Sequence, residues 1–168
     1  MNWFTANEWI AAMNADDGTG YLGFDTWRLP ITVQPDASCD TQSDPGGAGI
    51  PALFQGSGSG CTASEMGHLK HVDDIYFESE AALALFLNLR DWEYWSGTDY
   101  FFDTSLAWSQ GFDLGTQETA DKSATMLYVL PVLSGDVSVP LPPSIWLLGS
   151  ALFGVASLKR ARPARQGR

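Results

Sequence analysis

Positive charge is what this chain has least of over most of its length. Residues 1–138 hold all twenty acidic side chains and only Arg28, Lys70, Arg90 and Lys122, a net charge of −16. Such a surface repels nucleic acid and anionic lipid headgroups while favouring solubility. Nucleic-acid binding is excluded on that ground, and an anionic polysaccharide is a poor ligand for the same reason. Histidine occurs only at 68 and 71, and cysteine only at 39 and 61. No Ser/His/Asp order and no paired-carboxylate motif stands out, so a nucleophile with its base is not written into the pattern. The beginning lacks an export leader as well: Met1-Asn2-Trp3-Phe4 has neither a charged n-region nor an apolar core.

Cations reappear at the end, where five of the nine basic residues follow Leu158. Residues 139–158 form twenty positions without a charge, about the number a helix needs to cross a hydrocarbon core of roughly 30 Å. Pro140, Pro142 and Pro143 can open a helix but not sit inside one. After them come Ile145, Trp146, Leu147, Leu148, Gly149, Leu152, Phe153 and Gly154, with the small residues usual in membrane helices. Lys159, Arg160 and Arg162 then act as a basic stop that stays cytoplasmic, so the acidic part faces outward. An ordinary core helix would leave the prolines and the clustered cations without a reason.

The order of a short proline motif, Val139-Pro140-Leu141-Pro142, an apolar span and a basic terminus resembles the PEP-CTERM sorting signal in its Val-Pro-Leu-Pro variant, over residues 139–162. The resemblance implies an envelope protein of a Gram-negative bacterium that makes exopolysaccharide. It also implies an exosortase-type membrane protease that cuts near the motif and removes the tail, much as a GPI signal is read and removed. Leu141 stands where the commoner form has Glu. The chain then divides into a domain at 1–136, a Pro-rich linker and sorting motif at 137–143, a transmembrane helix at 144–160 and a basic tail at 161–168. An exported chain needs a leader, so the reading frame is expected to extend upstream, with a signal peptide and further strands of the same domain. In an exported chain Cys39 and Cys61 make one natural disulfide, closing about twenty residues and adding roughly 3 kcal/mol; a reduced, catalytic thiol pair is the alternative.

Within the domain, Thr5 and Glu8 suit a capping box, with Phe4 and Trp9 placed for a hydrophobic staple. Trp9, Ile10 and Met13 would share one helical face. Asp16-Asp17-Gly18-Thr19-Gly20 breaks the chain, and residues 34–61, rich in Gly and Pro, read as a long irregular segment. Thr62 with Glu65 forms a second capping box ahead of Met66, Leu69 and Val72. Residues 79–89 read as a short buried helix, and strand-like pieces follow at 93–96, 106–112 and 124–132.

Four segments carry a second resemblance. They are Trp27-Arg28-Leu29-Pro30, the stretch 61–69 with Glu65, Met66 and His68, the stretch 94–100 with Trp95, Ser96 and Gly97, and 107–115 with Trp108. In order they resemble the domain of unknown function typified by the C-terminal domain of a bacterial collagen-like adhesin (Lcl-like), over residues 1–136. The resemblance implies an α+β, loop-rich domain of the C-type-lectin-like or formylglycine-generating-enzyme-like kind, N-terminally truncated here, followed by one transmembrane helix. Relatives often end in Val-Arg-Pro-Gly-Asp, where this chain has Leu133 and Ser134 in place of the Arg and Pro.

Other constellations are weaker. His68 and His71 with Glu65, Asp73 and Asp74 could offer metal ligands, but Glu65 is assigned to a cap and His68 to a packing or hydrogen-bonding role. Asp16, Asp17 and Asp25 could hold Ca²⁺, though a solvated acidic turn is the simpler expectation. Gly18-Thr19-Gly20-Tyr21-Leu22-Gly23 has the spacing of a dinucleotide loop but follows a helix rather than a strand. The expected protein is non-enzymatic, without metal or cofactor. It is exported to the cell surface or extracellular matrix, passing through a single-span inner-membrane form. Its partners are an exosortase-type protease, the membrane through its C-terminal helix, and exopolysaccharide as a candidate ligand; neutral sugars stacked on Trp or Tyr suit its composition. The alternatives are a permanently anchored structural protein and a lectin-fold-related oxidase or hydrolase.

Overall fold

The computed structural model describes residues 1–76, 85, 86 and 88–134. The sorting motif, apolar span and basic stop lie outside the described residues, as does most of the helix expected at 79–89. Among the described residues, no helix is long and apolar enough to cross a membrane. Residues Met1–Ser134 form one compact unit of mixed helix and strand.

Helix α1 (Trp3–Ala15) starts earlier than Thr5 would have it. Asn2 is the cap, its Oδ1 accepting the Thr5 N–H at 2.9 Å, and asparagine is among the best residues at that position. The buried face is Ala6, Ile10 and Met13, spaced four and then three apart. Trp9 and Phe4 are not part of it; they are 41% and 51% exposed, and with Asn2 as the cap Phe4 lies inside the helix rather than at the staple position before it. Two short 3-10 turns, Asp16–Gly18 and Tyr21–Gly23, follow α1. Asn14 then grips the backbone of β1 (Trp27–Arg28), donating to Trp27 O and accepting from Trp27 N at 2.9 and 2.8 Å.

The glycine-rich segment is less irregular than its composition suggests. It contains an antiparallel hairpin, β2 (Thr41–Ser43) with β3 (Gln55–Ser57). Helix α2 (Glu65–His71) follows. The centre of the domain is the antiparallel sheet β4 (Glu93–Asp99), β5 (Leu106–Gly111) and β6 (Gln117–Asp121), in that order. Gly58 and Gln117 exchange backbone hydrogen bonds at 2.9 and 2.8 Å, so the hairpin hangs from the β6 edge. The strand expected at 124–132 is not there. Asp121 Oδ1 accepts from Ser123 N and Ala124 N, which turns the chain. The following segment makes only an isolated bridge between Tyr128 and Tyr94 before β7 (Val132–Leu133) pairs with β1.

Trp95 and Ala107, wholly buried, meet Ala6, Ile10, Met13, Leu29 and Leu127 in one core. Met66, Ile75, Leu89, Tyr94 and Phe112 make a second core beneath α2. Lys122 is a buried cation between the layers. Its Nζ lies 2.6 Å from Asp99, donates to Thr104 O at 2.8 Å, and sits 4.4 Å from the centre of the Trp3 ring.

Candidate functional site

Of the motif residues singled out in the sequence, Arg28, Leu29, Pro30, Glu65, Ser96 and Gly97 meet at one structural junction. Arg28 makes a bidentate pair with Glu65 at 2.7 and 2.6 Å, and the same carboxylate accepts from Ile31 N at 2.6 Å. This corrects the capping-box assignment: the cap of α2 is Ser64, and Glu65 ties the helix to β1. The Arg28 guanidinium holds the Glu65 carboxyl below its ordinary range, and Glu65 raises Arg28 in turn. Pro30 O accepts from Ser96 Oγ at 2.9 Å and from Gly97 N at 2.8 Å. Leu29 and Pro30 are buried, whereas Trp27 and Arg28 are half-buried. Met66 is buried in the second core. His68, expected to pack or hydrogen-bond, is exposed, with Asp73 at 3.9 Å. His71 Nε2 meets Gly115 O at 2.8 Å. These contacts hold elements together; of the motif stretches, Thr98, Asp99, Tyr100 and Trp108 line the clefts described below.

A second network shapes the 34–61 segment. Cys39 and Cys61 are joined in a disulfide. The buried Asp36 carboxylate accepts from Ser38 N at 3.0 Å, from Ala63 N at 3.2 Å and from the Ser38 hydroxyl. Among the described residues, Asp36, Cys39 and Cys61 are the one group of metal-type ligands close enough together, but both sulfurs are committed to the disulfide. Gln117 is wholly buried; it accepts from Ser64 Oγ at 2.6 Å and donates to Gly56 O at 2.9 Å. Gln34 clasps the Gly56 backbone from the other side. A side chain at 56 would bring a Cβ within 2.3 Å of Asp36 O, so glycine lets the two strands of this loop approach.

The hairpin so held stands off the sheet and encloses a cleft of about 570 Å³. Thr41, Ser43 and Ser57 line it on the hairpin side, and Tyr100, Leu106, Glu118 and Thr119 on the sheet side. A second cleft of about 590 Å³ is lined by Thr32, Gln34, Thr98, Asp99, Phe101 and Thr104 among others. Gln55 and Trp108 line both, so the two clefts lie side by side as neighbouring lobes. Trp108 is only 2% exposed and forms floor rather than platform. Tyr100 stands edge-on to it, ring centres 5.7 Å apart, and Phe101 is open on the rim.

Gln55 is the anomalous residue of the groove. It is 5% exposed; its Nε2 donates to Leu53 O and Phe54 O at 3.2 and 3.0 Å, but its Oε1 has no donor. A buried acceptor left unmet costs about 1–3 kcal/mol. No lysine, arginine, histidine or cysteine lines either lobe. Glu118 also acts outside the groove, since its charge adds to burial in pushing the Glu93 carboxyl up. Chemically, the groove offers hydroxyls, amides, aromatic edges and the carboxylates of Asp99 and Glu118.

No family profile, no curated protein and no solved structure matches the chain. Thr98, Asp99, Tyr100 and Trp108 are the groove residues that the sequence motifs covered. The hairpin and β6 residues come from polar strands with no apolar alternation to mark them, and their one sequence signal is a density of Ser, Thr and Gln at 41–43, 55–57 and 117–119.

Proposed function

We propose that residues 1–134 are a non-catalytic ligand-binding module, exported and delivered to the cell surface or extracellular matrix by a C-terminal sorting signal. The observation that carries this reading is the two-lobed groove, polar and aromatic, with neither thiol nor imidazole in it. Supporting it, both cysteines are closed in a disulfide of the kind that persists in oxidising compartments. The order of motif, uncharged span and cations over residues 139–162 is the support for delivery by an exosortase-type protease. The α+β architecture is compatible with a lectin-like relationship, which stays part of the proposal.

The test is the intact mass of the protein recovered from its host's envelope and medium. A mass lacking the residues after about 140, found outside the cell, is the expected result. A mass that retains Arg168 in the membrane fraction would make the chain a permanently anchored protein. Recovery only from the cytoplasm would sink the surface reading altogether.

A further inference from the structure

We propose that the groove takes a neutral, polyhydroxylated chain, a saccharide, lying across both lobes over Gln55 and Trp108. This rests on the reading of the domain as a binding module and adds the class of ligand. The strongest indication is Gln55 Oε1, buried and without a donor. A turn of the Gln55 side chain toward the groove would offer that acceptor to a ligand hydroxyl, which, unlike an amine, carries no charge to desolvate. Thr41, Ser57, Thr98 and Thr119 add hydroxyls that both give and accept, as the hydroxyls of a sugar do. Tyr100 and Phe101 provide ring surface for the C–H face that every sugar ring also has.

Charge selects among saccharides. Glu118 and Asp99 lie in the lobes with no lysine or arginine lining them. Lys122, the cation beside Asp99, is already engaged by Asp99, Thr104 and Trp3. A sulfated or uronic chain would meet the Glu118 carboxylate with no cation lining either lobe to offset it. The shared Gln55–Trp108 junction favours a linear chain occupying both lobes over a single sugar.

The experiment is a glycan array probed with the full chain in detergent micelles, carrying neutral gluco-, galacto- and manno-oligosaccharides of increasing length, with alginate and heparin alongside. Thr41→Arg and Thr119→Arg, at exposed positions on opposite walls, fill the groove without touching the core. Gln55→Leu removes the unpaired acceptor, and Ala11→Arg, on the exposed side of α1, is the control. The expected result is salt-insensitive binding of at least one neutral series that strengthens with length. It should fall about tenfold in Gln55→Leu, vanish in both arginine variants, and persist in the control. Circular dichroism on each variant separates lost binding from lost fold, and the arginine pair carries the test if Gln55→Leu unfolds. No neutral glycan retained, retention undiminished by Thr119→Arg, or salt-sensitive capture of the anionic glycans alone would each overturn the proposal. A chain processed and found in the medium yet blind to neutral glycans refutes the ligand assignment only. A chain that binds them but never leaves the cytoplasm refutes only the surface reading.

Discussion

Single side chains in this domain divide into those that join elements and those that fill them, and the two kinds should fail differently. Trp95 is wholly buried with its indole N–H on Met1 O at 2.9 Å. Trp95→Ala should cost about 3–5 kcal/mol in urea denaturation, as core aromatic truncations do. Trp27 is half-buried over the end of α1, and the same truncation there should cost about 1–2 kcal/mol. Glu65 joins elements, and its partly exposed pair with Arg28 limits Glu65→Gln to a loss of about 1 kcal/mol. Arg28 lowers the folded pKa of Glu65 below its ordinary 4.5. The wild-type advantage over Glu65→Gln should therefore be full above that value and disappear as pH falls through the lower, folded one. Glu93 carries the opposite sign. Burial and the Glu118 charge raise its folded pKa above 4.5, so its contribution drains away as pH rises from there through the folded value. Glu93→Gln should flatten that slope in a pH series of denaturation midpoints; an unchanged slope would show the carboxylate is solvated in solution.

At the scale of elements, the hairpin β2–β3 depends on the disulfide more than on its own ladder. Replacing Cys39 and Cys61 together by Ser reopens a loop with a sequence separation of 22 residues, which should cost about 3 kcal/mol. Amide exchange should show β2 and β3 losing protection well before β4 and β5; uniform loss would mean the loop is held by Gln117 and Asp36 instead. The sequence made β4, β5 and α2 legible because β4 and β5 carry short runs with aromatics, as at Tyr94-Trp95 and Ala107-Trp108, and α2 places Met66 and Leu69 three apart. It misled wherever a polar side chain served tertiary structure. Glu65 has the spacing of a cap but answers Arg28, and Asn2 rather than Thr5 opens α1. Strand β6 escaped because its inward residue is Gln117, whose burial depends on Ser64 and Gly56, partners far away in sequence. The groove was illegible for the same reason. Its walls combine the polar hairpin and the β6 edge with residues 98–108 of the sheet, and the bridge between Gly58 and Gln117 is one of the contacts that make them face one another.

For the whole molecule, two acidic-to-basic halves imply two separable requirements. Changing Trp146, Leu147 and Leu148 to charged residues should abolish membrane fractionation, since each charge at a span centre costs about 2.5–3.5 kcal/mol to insert. Near-ultraviolet circular dichroism should meanwhile report the domain unaltered, because its cores draw on residues before 134. Retained membrane association would refute the anchoring role of the span. The buried ammonium of Lys122 has a practical corollary. With 6% of its side chain accessible and its three N–H directions aimed at a carboxylate, a carbonyl and an indole face, it should resist acylating reagents for as long as α1 stays seated on the sheet. Lys122 is thus an internal gauge of intactness: peptide mapping after brief acylation should find it untouched in the native protein and modified once the first helix lifts away.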